Sequence, residues 1–255
     1  MPTYRSLSLR IRKSILKIAH LSQASHIGSS LSIVDILSVL YIKFLKTKKN
    51  SFILSKGHGC LAQYCTLKEM GFISEKTLKT FGQNNTILMS HVSHAVPGID
   101  FSTGSLGHGL PVAAGFALAD KINKLKSRTF VMLSDGELNE GSNWESLLFC
   151  SHHKLNNLTI IIDYNKIQSL DFVKNTLKIE PLKMKLESFG CKVASVDGHN
   201  YKQLLKALSS HSPKTLVIIA NTIKGKGVKF MENTVLWHYK SLNNTDYQKA
   251  IKKIK

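Results

Sequence analysis

The sequence predicts an α/β fold, a doubly wound parallel sheet with helices on both faces, and three observations carry that expectation. Short apolar runs rich in β-branched residues recur along the chain with helical patterns between or beside them, and such alternation implies right-handed crossovers between parallel strands. Two of the runs end directly in polar groups, Asp135-Gly136 and Asn165-Lys166-Ile167, at the position where an open parallel sheet gathers its ligand-binding residues. A length of 255 residues, 43% of them hydrophobic, suits one core of this kind and leaves no room for a second full domain. Residues 1–255 are therefore read as a single domain.

Taken in order, residues 5–21 place Leu9, Ile11, Ile15, Leu16, Ile18 and Ala19 at helical spacing with basic residues between them, an amphipathic first helix. A second apolar helix is predicted over 32–44, with Asp35 in its first turn where a carboxylate suits the helix dipole. Phe52-Ile53-Leu54 reads as a short strand broken by Ser55-Lys56-Gly57-His58-Gly59, followed by a helix over about 60–70 that Gly71 ends. Residues 82–109 are rich in glycine and histidine and lack periodicity; an irregular stretch of that length inside a compact domain, anchored by apolar residues, points to function. Beyond it come a small-residue helix over 110–121, strands over 130–133, 158–162, 191–196 and 216–220, and helices over 143–152, 181–189 and 202–208. The lysine-rich end after Asn243 is a helix or a frayed tail.

The formal charge is +19, from 35 Lys and Arg against 16 Asp and Glu, which as a bare number points to nucleic acid or an anionic membrane. Its distribution argues against both. Arginine occurs only at 5, 10, 12 and 128, the lysines are scattered, and basic and aromatic residues do not interleave into a stacking platform. No apolar run reaches the ~20 residues that span a bilayer, and the N-terminus has no continuous hydrophobic signal region. Cys60, Cys65, Cys150 and Cys191 show no metal or disulfide spacing and read as reduced core residues. A soluble cytoplasmic protein is expected, with the positive charge favouring anionic small substrates or an acidic partner chain.

Magnesium prefers hard oxygen ligands in near-octahedral geometry and usually takes one carboxylate, a neutral carbonyl or two, and phosphate oxygens. Asp135, the Asn165 amide and a nearby main-chain carbonyl are donors of that kind. Either motif alone is equally a common turn. Together, with Glu140-Gly141 following, they resemble the thiamine-diphosphate motif of the transketolase family. Further segments are similar to that family in the same order: Ser25-His26-Ile27-Gly28, Leu54-Ser55-Lys56-Gly57-His58-Gly59, Pro97-Gly98, Ser102-Thr103-Gly104-Ser105-Leu106-Gly107-His108-Gly109, Thr222-Ile223-Lys224-Gly225-Lys226-Gly227, and Phe230-Met231-Glu232-Asn233 leading to Trp237-His238. The resemblance covers about residues 5–240 and is to the amino-terminal subunit of a split transketolase.

What the resemblance implies is a thiamine-diphosphate-binding fold holding thiamine diphosphate and Mg²⁺, with Ca²⁺ or Mn²⁺ as other hard cations. Asp135, Asn165 and the Ile167 carbonyl would bind the metal. Gly136, Glu137 and His58 would stand with Asp135 and Asn165 at the cofactor, Gly104 would accept from its 4′-amino group, and Leu106 would pack beneath its rings. His26, His91 and His238 would handle sugar and diphosphate oxygens, since imidazoles exchange protons near neutral pH. His91 is assigned by counting back from Pro97-Gly98, with His94 as its competitor. Glu140 resembles the interface glutamate that hydrogen-bonds a partner's catalytic glutamate. The departures are Ser134 for the first glycine of Gly-Asp-Gly, tolerable at negative φ, His108 for a frequent Gln, Tyr239 for a glycine, and Ser169-Leu170-Asp171 for Ile-Asp-Gly.

The family's pyrimidine-binding domain, with the glutamate that activates the cofactor, has no counterpart here. The expected partner is a separate carboxy-terminal transketolase subunit of about 300 residues, with α₂β₂ as the expected assembly. The expected activity is transfer of a two-carbon ketol unit from a ketose phosphate to an aldose or its phosphate, through a thiamine-diphosphate adduct. Two other readings stay open: a subunit of a specialised thiamine-dependent ketol or acyl transferase in sugar or secondary metabolism, and a non-catalytic cofactor-binding or regulatory subunit.

Overall fold

The computed structural model describes residues 3–47 and 49–254. Helix α1 (Tyr4–Ser22) opens at Thr3, whose side chain accepts from the Ser6 amide, and buries Leu7, Ile11, Ile15 and Ile18 along one stripe. The helix predicted over 32–44 is two helices, α2 (Ile27–Ser32) and α3 (Val34–Lys43), which meet at Ile33. Apolar periodicity missed α2 because it is mostly Gly and Ser. Ser32 turns its hydroxyl into the protein to Ser29 O at 3.0 Å and Asp163 Oδ2 at 2.7 Å, so α2 is held by polar contacts as well as apolar ones. Strand β1 (Ser51–Leu54) and α4 (Cys60–Glu69) follow, and Gly71 at φ +83° ends α4 as expected.

Between α4 and the next long helix the chain makes only the short α5 (Glu75–Leu78), opened by the Ser74 hydroxyl on the Thr77 amide at 2.9 Å. The remainder of that segment is irregular, yet Leu88, Val92, Val96 and Ile99 are buried and fasten it to the body. Then come α6 (Gly109–Ile122), β2 (Thr129–Ser134), α7 (Gly141–His152), β3 (Leu158–Tyr164), the short α8 (Val173–Thr176), α9 (Leu182–Ser188), β4 (Lys192–Asp197), α10 (Tyr201–Leu208) and β5 (Leu216–Asn221). The lysine-rich end is helix α11 (Asn244–Lys253), opened by the Asn243 side chain on the Asp246 amide. It lies along α1, with Tyr247 stacked on His20 at 4.6 Å. Lys255, the end of the predicted tail, lies outside the described residues.

The sheet has five strands, all parallel, in the order β1-β2-β3-β5-β4. Successive residues of a strand point to opposite faces, and here both faces are covered. Phe52, Leu54, Phe130, Met132, Ile161 and Ile218 pack under α1, α3 and α4. Ile53, Val131, Leu133, Ile160, Ile162, Val217 and Ile219 pack under α6, α7 and α9. That is the doubly wound arrangement, and it explains the continuous apolar runs of strands buried on both sides. Among the described residues no helix is long and apolar enough to cross a membrane. The four cysteines are all free and buried.

Candidate active site

Because the strands are parallel, their carboxyl ends lie on one edge of the sheet, and the segments that leave them converge. The turn after β1 carries Lys56 and His58, β2 ends in Ser134 and runs into Asp135-Gly136, β3 leads to Asn165 and Ile167, and the turn after β5 carries Lys224. His26 comes from the α1–α2 junction, His91, Gly104 and Leu106 from the irregular segment, and His238 from a 3₁₀ turn, Leu236–His238. All of these residues line one cavity of about 230 Å³.

The Asp135 carboxylate is buried and accepts from the Gly136 amide at 2.8 Å and from the Lys166 amide. Burial, reinforced by the charge of Asp163, pushes its carboxyl up to about 7, against the pull of those two amides. Lys166 sits at φ +68°, a left-handed conformation uncommon for lysine, and this twist folds the loop so that Asn165 Oδ1 accepts from the Ile167 amide at 3.1 Å. The other end of the Asn165 side-chain amide, Nδ2, donates to Asp163 Oδ2 at 3.1 Å, which fixes the side chain's orientation. Ser134 has no positive φ, so it takes the place of a glycine without strain.

Asp163 lies outside the cavity lining but organises it. Fully buried at the end of β3, it forms an ion pair with Lys56 at 2.6 Å and accepts from Ser32, Thr222 and Asn165. Burial alone would raise its carboxyl; the Lys56 charge and these hydrogen bonds outweigh that and hold it below the usual range. Lys224 has no carboxylate at ion-pair distance among the described residues. Its ammonium donates to the carbonyls of Ile167 at 3.1 Å and Gln168 at 3.3 Å and to His238 Nδ1 at 2.7 Å. Burial and the charge of Lys56 bring it down to about 7. With Lys224 donating, the neutral His238 ring carries its proton on Nε2.

The histidines form a cluster around His26, whose ring centroid lies 5.4 Å from His58, 6.3 Å from His91 and 5.0 Å from His238. Burial, then the neighbouring cations, depress His26 to about 4, His238 to about 3 and His58 well below its ordinary value. A histidine depressed on folding takes up protons more readily in the unfolded chain, so stability falls as pH drops below about 6.5. The expected result is a melting temperature that declines steadily between pH 6.5 and pH 4, by an amount worth roughly 2 kcal/mol or more. His26→Gln, scanned over the same range, should show a shallower decline, and parallel curves would remove the cluster as the cause.

His94, the competitor of His91, points away from the cavity and pairs with the Ser102 hydroxyl at 2.6 Å. Glu137 and Glu140 lie outside the cavity lining. The Glu137 carboxylate is taken up by the Ser55 hydroxyl and by the amides of Gly107 at 2.9 Å and Ser134 at 3.1 Å, where it joins three loops. Glu140 is exposed beside Gly107, where an added Cβ would come within 2.6 Å of the glutamate's own Cβ. Sequence reasoning assigned no role to Lys56, Lys224 or Asp163. The one signal for Asp163 was a charged residue closing an otherwise apolar strand.

Among the described residues no three or more His, Cys, Asp or Glu side chains are grouped to hold a metal. A cation here would draw on one carboxylate, one amide oxygen and one carbonyl, with the remaining positions filled by a ligand. That donor set, together with a buried carboxylate lacking a cationic partner, fits Mg²⁺ beside a diphosphate.

A family model described as "Transketolase, thiamine diphosphate binding domain" matches residues 8–254. One of the two named subunits of an apulose-4-phosphate transketolase from Actinobacillus succinogenes is 40% identical, over 96% of this chain and 92% of that protein. The 6-deoxy-6-sulfo-D-fructose transketolase subunit SqwG of a Clostridium species is 34% identical, over 94% and 92%. A transketolase structure from Leishmania mexicana superposes with a TM-score of 0.90 at 26% identity; it covers 98% of this chain, which spans only 41% of that one.

Proposed function

The chain belongs to the transketolase family, matched through its thiamine-diphosphate-binding domain, and from that premise we propose that it is the diphosphate- and metal-binding subunit of a two-chain transketolase. The reaction would move a two-carbon ketol unit from a ketose phosphate to an aldose or its phosphate. The observation that carries the reading is the meeting of Asp135, Asn165, the Ile167 carbonyl and four histidines in one cavity at the carboxyl ends of the strands. A polypeptide retained only for regulation would have no need to keep that donor set together.

In this reading Asp135, Asn165 Oδ1 and the Ile167 carbonyl hold Mg²⁺. A metal on the Ile167 carbonyl displaces the Lys224 ammonium from it, leaving that cation for the diphosphate. Bound thiamine diphosphate would supply the electron sink for carbon–carbon cleavage and formation. His58 and the Gly104 loop orient it, while Leu106 presents an apolar surface. His26, His91 and His238, kept neutral at pH 7 in two cases by the depressions described above, can each donate or accept one proton at a sugar oxygen. Operation in the cytoplasm agrees with four buried, unpaired cysteines.

Completion of the site by a second polypeptide of about 300 residues, within an α₂β₂ assembly, is part of the proposal. Subunit designations in the names of the Actinobacillus and Clostridium relatives support a divided enzyme. Those names also carry different sugars, in keeping with a donor pocket shaped largely by the other chain. The test is complementation: the purified chain with thiamine diphosphate and Mg²⁺ should transfer no ketol unit, and adding the partner should restore transfer. Robust turnover by the chain alone would refute the divided-site reading.

A further inference from the structure

Resting on the reading of the cavity as the diphosphate site, we propose that Asp35, His199 and Arg12, none of which lines that cavity, are positioning residues that clamp the Thr222–Gly227 turn and so aim Lys224. The clamp begins with a buried ion pair. Arg12 grips Asp35 with two parallel hydrogen bonds, Nη1 to Oδ1 at 3.0 Å and Nη2 to Oδ2 at 2.6 Å, the geometry that gives guanidinium–carboxylate pairs their direction. The Tyr201 hydroxyl donates to Asp35 Oδ1 at 2.9 Å, and His199 Nδ1 lies 2.8 Å from Oδ2. Burial pushes the Asp35 carboxyl up, but the hydrogen bonds from His199 and Arg12 and the charge of Arg12 outweigh it and hold it ionised.

The tautomer of His199 follows from its other neighbour. The Ile223 amide donates to His199 Nε2 at 2.9 Å, and an amide nitrogen can only donate. Nε2 is therefore bare, and the ring proton sits on Nδ1, facing the Asp35 carboxylate. Asp35 thus orients the imidazole, and the imidazole holds the main chain one residue before Lys224. The far side of the turn is held by the same cluster, since Arg12 Nε donates to the Lys226 carbonyl at 3.2 Å. Gly227, at φ +98°, leaves room for that arginine: an added Cβ would stand 3.0 Å from Arg12 Cδ. In the middle, the Gly225 amide donates to Gly28 O at 3.0 Å, and Gly28 lets the Lys224 stem pass, with 3.2 Å from an added Cβ to Lys224 Cγ.

Lys224 is the cation without a carboxylate in the cavity, and it is 1% exposed. A lysine stem is flexible, so where its ammonium points depends on where its Cα is held. Clamping residues 223 and 226 from behind sets that position, and α1, α3 and the β4–α10 loop contribute to the site without touching its ligand.

His199→Phe keeps a ring of similar size but neither accepts from Ile223 nor donates to Asp35, whereas His199→Gln offers both functions. The first readout needs no cofactor: acetylation of the full chain by limiting acetic anhydride, followed by mass spectrometry. In His199→Phe, Lys224 should label at least about tenfold faster relative to the equally buried Lys56, and His199→Gln should stay near wild type. The second readout is the affinity for thiamine diphosphate with Mg²⁺, expected to fall about tenfold or more in His199→Phe, the range for residues that orient a site from behind. In a Lys224→Met background the same change should cost no further affinity. Unchanged Lys224 labelling, or losses that simply add in the double variant, would overturn the proposal. If His199→Phe does not fold, Asp35→Asn replaces it with the same expected labelling and the same overturning result. A wild-type chain that binds no thiamine diphosphate would sink the functional reading instead, and the labelling would still decide whether the clamp aims Lys224.

Discussion

Asp135→Asn is expected to weaken magnesium-dependent binding of thiamine diphosphate about a hundredfold or more, without destabilising the chain. The carboxylate supplies the only negative charge among the three proposed metal donors, and a hard divalent cation depends on that charge. The substitution keeps an oxygen for the Lys166 and Gly136 amides, which now donate to the carboxylate, so the loop retains its hydrogen bonds. Wild type bears a cost that the variant lacks. Burial and Asp163 raise the Asp135 carboxyl from 3.8 to about 7. An acid raised on folding binds protons more tightly in the folded chain, so its contribution to stability declines as pH rises from about 4 to about 7 and is level above. At pH 8 the variant should therefore melt at or above the wild-type temperature. Titration calorimetry at fixed Mg²⁺ with a melting curve separates the two effects. Unaltered affinity would exclude Asp135 as a metal ligand, and a large fall in melting temperature would mean that the loop had collapsed.

Asp163→Ala should give the largest loss of stability of any single change near the site, on the order of 3–5 kcal/mol. Lys56 is fully buried and its ammonium is paired with Asp163 at 2.6 Å. Removing the carboxylate leaves that cation in the interior with only the Ser29 carbonyl at 3.2 Å, and strands Ser32, Thr222 and the Asn165 amide as well. The origin of the loss can be tested: in the double variant Lys56→Met, Asp163→Ala, the buried charge is gone and most of the stability should return. Urea unfolding of the four chains in the cycle measures this, and losses that add would show that the pair is not coupled. A second consequence concerns the metal. With Asp163 absent, nothing holds Asn165 Nδ2, the amide can rotate, and affinity for Mg²⁺ with thiamine diphosphate should fall by roughly 10–100-fold even at temperatures where the chain is folded.

Legibility in the sequence followed the nature of the forces involved. The strands around Val131, Ile160 and Ile218 were legible because burial on both faces requires unbroken apolar runs, and α1 was legible because a half-buried helix displays a 3.6-residue period. Helix α2 was not, since its Gly-Ser segment sits against polar groups of the site and has no amphipathic stripe. Asp35 read as a partner of the α3 dipole, whereas it is also the anchor for Arg12, His199 and Tyr201, residues from two other regions of the chain. Within the candidate site, Asp135 and Asn165 stood out because each follows a strand, and the histidines because of the motifs around them. Lys56 and Lys224 were present in quoted motifs, but a surface lysine and a buried one are the same letter.

By itself the sequence determined the doubly wound architecture, the two strand ends that carry the proposed metal donors, and the family to which the chain belongs. Those follow from local properties: hydrophobic period, turn chemistry and the order of short motifs. Tertiary structure alone decided that β5 lies between β3 and β4, which brings Lys224 onto the Ile167 carbonyl. It also decided that His91 rather than His94 faces the cavity, and that Asp163 is a buried hub. The physical reason is that charge, tautomer and side-chain direction at a site depend on desolvation and on partners far away in the chain, and neither is encoded in a residue's immediate neighbours.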